Sequence, residues 1–131
     1  MKILILGSDG YLGSKLTKKL KSKKFDVYSA DINPKNTDTH KLDVANTADI
    51  EEYLKNKNFD VIISLVGILP GKMRKNKLYN KNLSSISYLK NIKLNSHFIF
   101  ASSTAIYSNN SKLKKSTEGP FEIYGKSKLD S

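Results

Sequence analysis

The stretch from Ile3 to Leu16, ILILGSDGYLGSKL, constrains the fold of this chain more than any other. A compact aliphatic run, Lys2–Leu6, reads as a strand and meets glycine at once. The segment from Tyr11 to Lys23 that follows carries Leu12, Leu16 and Leu20 four residues apart, the spacing of a helix with one apolar stripe against a sheet and its lysines in water. Three glycines punctuate the junction. Gly7 suits a tight turn out of the strand, Gly10 lets backbone approach a ligand with no side chain in the way, and Gly13 permits close packing of helix on strand. The amides at the helix start, those of Tyr11, Leu12 and Gly13, then face an anion such as a pyrophosphate.

Three glycines would also serve a purely structural turn, so the flanking context decides. Asp26–Ala30 reads as a second strand, and Asp31 stands at its end, about twenty residues beyond the loop, where a carboxylate can bind a ribose diol. Strand, glycine loop, amphipathic helix and acid together point to a dinucleotide. A carboxylate there repels a 2′-phosphate, which favours NAD over NADP. The competing role for Asp31 is to cap the turn at Asn33-Pro34. Asp43 is similarly divided between the adenine amino group and a plain helix-start role.

Farther along, Thr39–Leu42 can form a short third strand, and Asn46 or Thr47 can cap a helix through about Lys57 with Ile50 and Leu54 inward. Asp60–Val66 carries an apolar run of the kind buried on both faces of a sheet. A loop with Gly67, Pro70 and Gly71 leads to a helix from about Lys77 to Ile92, then a fifth strand at His97–Ser102. Ser108–Pro120 is polar and irregular, and Phe121–Asp130 opens a last helix. Strands alternating with helices, without hairpin signals, predict an α/β fold: a doubly wound parallel sheet in the order 3-2-1-4-5, with the ligand cleft at the carboxyl ends where the order reverses.

Composition narrows the partners. A 131-residue chain is long enough for one domain with a real core, and it has no cysteine to form disulfides or a thiolate metal site. Its longest apolar runs, Ile3–Leu6 and Val61–Val66, are too short to cross a bilayer, and the opening Met1-Lys2 runs straight into a strand rather than a signal peptide. A cytoplasmic protein without a membrane partner is expected. The net charge of +11 would suit nucleic acid, but the positive charge is nearly all lysine spread along the chain, with clusters at Lys18–Lys24, Lys72–Lys77 and Lys112–Lys115. Arg74 is the only arginine, the residue that most often reads bases and phosphates, so no nucleic-acid partner is expected.

GSDGYLG is similar in its glycine spacing to the extended short-chain dehydrogenases/reductases, the NAD-dependent epimerase/dehydratase family that includes UDP-glucose 4-epimerases, sugar-nucleotide 4,6-dehydratases and deoxysugar reductases. FIFASSTAIYS (98–108) resembles that family's fifth strand and serine/threonine signature, and YGKSK (124–128) matches its Tyr-x-x-x-Lys motif. The resemblance implies a Rossmann-type domain over residues 1–131, an NAD cofactor and a nucleotide-sugar or related small molecule as substrate, with a second copy of the chain as a candidate partner in a homodimer. Tyr124 and Lys128, four apart, share one helix face, and an ammonium beside a phenol lowers the phenol's pKa. The family's roles then fall to Tyr124 as proton acceptor and donor, to Lys128 for the phenol and the nicotinamide ribose, and to Ser103, four residues before Tyr107, for orienting the substrate oxygen. Thr104 and Ser102 are the alternatives to Ser103, and either Asn80 or Asn82 matches the family's helix asparagine.

The chain also departs from the pattern. SLVGI (64–68) stands where relatives often have alanines, and the Gly67–Lys77 loop is short. Relatives continue past the lysine with further strands and a C-terminal substrate domain. An incomplete Rossmann domain, truncated before those parts, is therefore expected. The expected function is hydride transfer at a sugar carbon with Tyr/Lys/Ser catalysis. A deoxysugar-nucleotide reductase is the close rival, and a non-catalytic dinucleotide-binding module the more distant one, since such modules often lack the Tyr/Lys pair.

Overall fold

A computed structural model describes residues 1–55, 57–69, 71, 74–90, 95–106 and 122–131. The chain runs β1 (Lys2–Leu6), α1 (Tyr11–Ser22), β2 (Asp26–Asp31), β3 (Thr39–Lys41), α2 (Thr47–Leu54), β4 (Val61–Ser64), α3 (Lys75–Ser84), β5 (His97–Phe100) and α4 (Glu122–Leu129), with 3-10 turns at Ser87–Lys90 and Thr104–Ile106. Among the described residues, the five strands form one parallel sheet in the order β3-β2-β1-β4-β5, as the strand–helix alternation predicts. Leu6 pairs with Ala30 on one side and Ser64 on the other, so β1, β2 and β4 end level. Their loops open together on the edge where the order reverses, the usual place for a ligand crevice.

Alternation along β1 builds both layers of the core. Ile3 and Ile5 point to one face with Ile63, where Leu16 and Leu20 of α1 pack on them. Leu4 and Leu6 point to the other, with Ala30, Ile50, Leu54, Ile62 and Tyr88. Ser29, Ala30 and the last three residues of β4 are buried as well, which explains why these central strands carry hydrophobic or small residues at successive positions.

Several expectations need correction. Leu12 does not belong to the inward stripe of α1: it is 62% exposed, while Gly13 is buried and Leu16 and Leu20 are packed. The inward line is Gly13–Leu16–Leu20, at i, i+3 and i+7, and Leu12 lies about 100° around the helix from Gly13. The helix predicted through Ile92 instead ends at Ser84. Here Ser84, Ser85 and Ser87 each donate their hydroxyl to the carbonyl three residues back, at 3.1, 2.6 and 2.9 Å. Such back-bonding competes with helical bonding, and the chain passes into the 3-10 turn. Strands β3, β4 and β5 and helix α2 are each shorter than expected. Tyr107, the Ser108–Pro120 stretch, the Lys112–Lys115 cluster, Pro70 and Lys72 lie outside the described residues.

Candidate active site

The glycine loop is shaped mainly by main chain. Gly7 has φ +80°, a left-handed conformation that penalises any side chain. Its N–H and that of Ser8 both donate to the Ala30 carbonyl at the end of β2, at 2.8 and 3.2 Å. A Cβ on Gly13 would lie 2.1 Å from the Gly7 carbonyl oxygen, so only glycine lets α1 start this close to the turn. Gly10 occupies the N-cap position, with no side-chain cap and no acidic residue in the first turn of α1. The first-turn amides of α1 therefore lack intrahelical acceptors, and the positive pole of the helix dipole is open to an anion. Tyr11 and Leu12 stand exposed at this helix start.

A cleft of about 220 Å³ runs across the switch point. Gly7 and Gly10 line its middle, Asp31 and Asp43 one end, and Val66, Gly67 and Asn82 the other. Asp31 accepts the Asn33 N–H at Oδ1 and the Asp9 N–H at Oδ2, both at 3.0 Å, so the turn-capping role is real, and the residue also lines the cleft. Asp43 likewise does both: its Oδ1 accepts the Ala45 N–H at 3.0 Å ahead of α2, and it lines the cleft.

At the far end Lys128 is 6% exposed. Its Nζ donates to the Val66 carbonyl at 3.0 Å and lies 4.5 Å from the centroid of the Phe100 ring. Burial lowers its pKa below the usual lysine value. Tyr124, half-buried, precedes it by one turn of α4. The neighbouring Gly125 fits against the 104–106 turn so closely that a Cβ would stand 2.1 Å from the Ala105 carbonyl oxygen. Ser103 caps that turn, its Oγ accepting the Ala105 N–H at 3.1 Å, whereas Ser102 and Thr104 are exposed. This contact brings the segment of Ser103 beside the segment of Tyr124 and Lys128.

Asn82 joins the parts. It is 2% exposed, bonds both backbone groups of Ile68 and donates to Ser127 Oγ at 3.2 Å, while Asn80 is exposed. Asn82 and Ser127 thus tie α3, α4 and the loop after β4 together. Spacing alone left Asn80 and Asn82 both open; of the two, Asn82 lies on the buried face of α3. Asp9 was not singled out at all, although an acid within an anion-binding loop is a usable signal.

These residues fit a dinucleotide. A Cβ on Gly10 would meet only the Gly7 carbonyl oxygen, at 3.3 Å, so the space it would fill is left for a ligand against bare backbone. Among the described residues no His/Cys/Asp/Glu group is placed to hold a metal ion, and no helix is long and apolar enough to cross a membrane.

A parallel sheet whose strand order reverses beside a glycine loop and a cleft defines an α/β domain of the dinucleotide-binding type. The model of the NAD dependent epimerase/dehydratase family matches residues 3–131, and the chain belongs to that family. It is similar to the UDP-glucose 4-epimerase of Bifidobacterium longum solved with NAD+ and UDP, at 26% identity and TM-score 0.77, over 98% of this chain and 46% of that one. It is similar to the L-threonine dehydrogenase of Clostridium difficile, also at 26% identity, with TM-score 0.81 over 98% and 46%. A hypothetical dTDP-4-dehydrorhamnose reductase from Sulfolobus tokodaii, at 24% identity and TM-score 0.78 over 99% and 50%, shares the fold. The chain spans about half the length of these solved structures. No curated protein sequence matches it.

Proposed function

We propose that this chain is the NAD-binding part of a nucleotide-sugar epimerase or dehydratase, with Tyr124, Lys128 and Ser103 as its catalytic residues. The observation that carries this reading is Lys128: a buried ammonium, one helical turn from Tyr124, held against the carbonyl of Val66, which lines the cleft. NAD, when bound, would accept a hydride from a sugar carbon and return it. The Gly7–Gly13 loop and the start of α1 hold the pyrophosphate, and Asp31 takes the adenosine ribose diol, which favours NAD over NADP. Lys128 places a positive charge on the helix face of Tyr124 and binds the nicotinamide ribose. Tyr124 takes the proton of the reacting hydroxyl and gives it back, while Ser103 orients the oxygen.

A second reading is dehydrogenation of an amino-acid alcohol, favoured by the threonine dehydrogenase being as similar as the epimerase. Reduction of a dehydrated sugar nucleotide uses the same residues. One experiment separates them: turnover of UDP-glucose, a 4-keto-deoxysugar nucleotide with NADH, and L-threonine, each with Tyr124→Phe as control. Activity on UDP-glucose that falls at least about 10²-fold in the variant supports the epimerase/dehydratase reading. Turnover of L-threonine alone selects the second. Near-normal turnover in Tyr124→Phe removes the tyrosine from catalysis altogether.

A further inference from the structure

Asp9 sits inside the glycine loop, where a carboxylate facing the cleft would repel a pyrophosphate. It does not face it. The side chain, 7% exposed, turns to the opposite side of the loop and enters a polar hollow with Ser8, Thr17, Ser29 and Thr39. There its Oδ2 accepts the backbone N–H groups of Lys35 at 2.5 Å and Asn36 at 3.3 Å, and its Oδ1 accepts Asn36 Nδ2 at 2.7 Å and Thr39 Oγ1 at 3.2 Å. Its own N–H donates to Asp31 Oδ2, and Lys35 Nζ donates to its carbonyl at 3.1 Å. One residue therefore fastens the connection between β2 and β3 and orients the carboxylate that faces the ribose end of the cleft.

We propose that Asp9 is a positioning residue for the adenosine end of the cofactor, assembling the ribose-side wall of the cleft before any ligand arrives. The proposal rests on the dinucleotide reading of that cleft. Its physical basis is a chain of two carboxylates. Asp9 holds residues 35–39 through its side chain, and its amide, bonded to Asp31 Oδ2, limits which lone pairs Asp31 turns to a diol. A 2′-phosphate placed there would meet Asp31 with a second negative charge fixed behind it, so Asp9 also sharpens the choice of NAD over NADP.

The test compares the wild-type chain with Asp9→Asn, Asp9→Ala and Gly10→Val by NADH and NADPH titration, together with amide exchange of the ligand-free proteins. Asp9→Ala is expected to weaken NADH about tenfold, the worth of a charge-assisted hydrogen bond, while NADPH changes far less. Asp9→Asn, which keeps part of the acceptor set, falls between. Exchange at Lys35 and Asn36 accelerates in Asp9→Ala while β1 and β4 stay protected. Binding by neither cofactor in the wild type, or undiminished NADH binding in Gly10→Val, overturns the cofactor site itself. Loss of binding in Gly10→Val with an unchanged NADH-to-NADPH ratio in Asp9→Ala overturns the assignment of Asp9 alone. Equal loss of both cofactors with faster exchange across the whole sheet also overturns it, by reducing Asp9 to a general structural residue.

Discussion

Asn82 grips Ile68 by both of its backbone groups, its Oδ1 accepting the Ile68 N–H at 2.7 Å and its Nδ2 donating to the Ile68 carbonyl at 3.1 Å. The remaining Nδ2 hydrogen reaches Ser127 Oγ. Asn82→Ala would strand two backbone groups and leave the Ser127 hydroxyl only its bond to the Tyr124 carbonyl, and it is expected to cost about 2–4 kcal/mol in urea denaturation. Asn82→Asp keeps the acceptor and loses both donors. Its deficit should shrink as pH falls and the new carboxyl protonates, a dependence that Asn82→Ala will not show.

Gly125→Ala tests how α4 is seated. Alanine suits a helix interior better than glycine by roughly 0.8–1.0 kcal/mol. At this position its Cβ would overlap the Ala105 carbonyl oxygen, so overpacking of about 1–3 kcal/mol wins. Denaturation should show net destabilisation, and turnover should fall because the 103–106 segment and α4 are pushed apart. Gly71→Ala is the control: nothing lies within 4 Å of its Cβ, and only its positive φ opposes the change.

Lys128 is a buried charge whose placement costs stability. Among the described residues no salt bridge reaches this buried ammonium, and burial depresses its pKa. Lys128→Met should therefore raise Tm at neutral pH, by roughly 2–8 °C, while abolishing turnover. The sign with pH follows from the depressed value. The penalty is fully present below the folded pKa and is relieved as pH rises through it toward the ordinary lysine value of about 10.4. The advantage of the methionine variant should narrow in alkaline denaturation experiments.

Asp9 should appear in the acid limb. Burial alone would raise its carboxyl, but the Lys35 amide, the Asn36 side chain and amide, and the Thr39 hydroxyl outweigh that and hold it below the usual aspartate value. Its contribution is then complete above about 3.9, the unfolded value, and is lost as pH falls through the lower folded value. Asp9→Asn should flatten this part of the stability–pH curve and leave the neutral-to-alkaline part parallel to wild type.

Much of this could be read from residue order because periodicity and punctuation are local properties. The aliphatic run into Gly7, Asp31 at the end of β2 and the apolar β4 each announce an element within a few residues, and parallel connectivity then restricts the order of the strands. What stayed hidden depends on competition or on distance. Leu12 matches the leucine spacing, yet the contact between Gly13 and Gly7 decides which face of α1 turns inward. The end of α3 falls at a run of serines whose hydroxyls bond back to carbonyls three residues earlier, a competition that composition does not rank. Asp9 bonds residues 26 to 30 positions away, beyond the reach of any local pattern.

The Ala30 carbonyl has a consequence for how a ligand would be measured along the cleft. Because it accepts from both Gly7 and Ser8, the glycine turn and the strand end that carries Asp31 are coupled through peptide groups. The interval between the two parts of the site is thus a ruler engraved in the main chain. Exchanging side chains at Ser8, Asp9 or Ala30 can alter affinity, but it leaves the graduations in place. Only a residue gained or lost in the turn after Leu6 or at the end of β2 would rescale it.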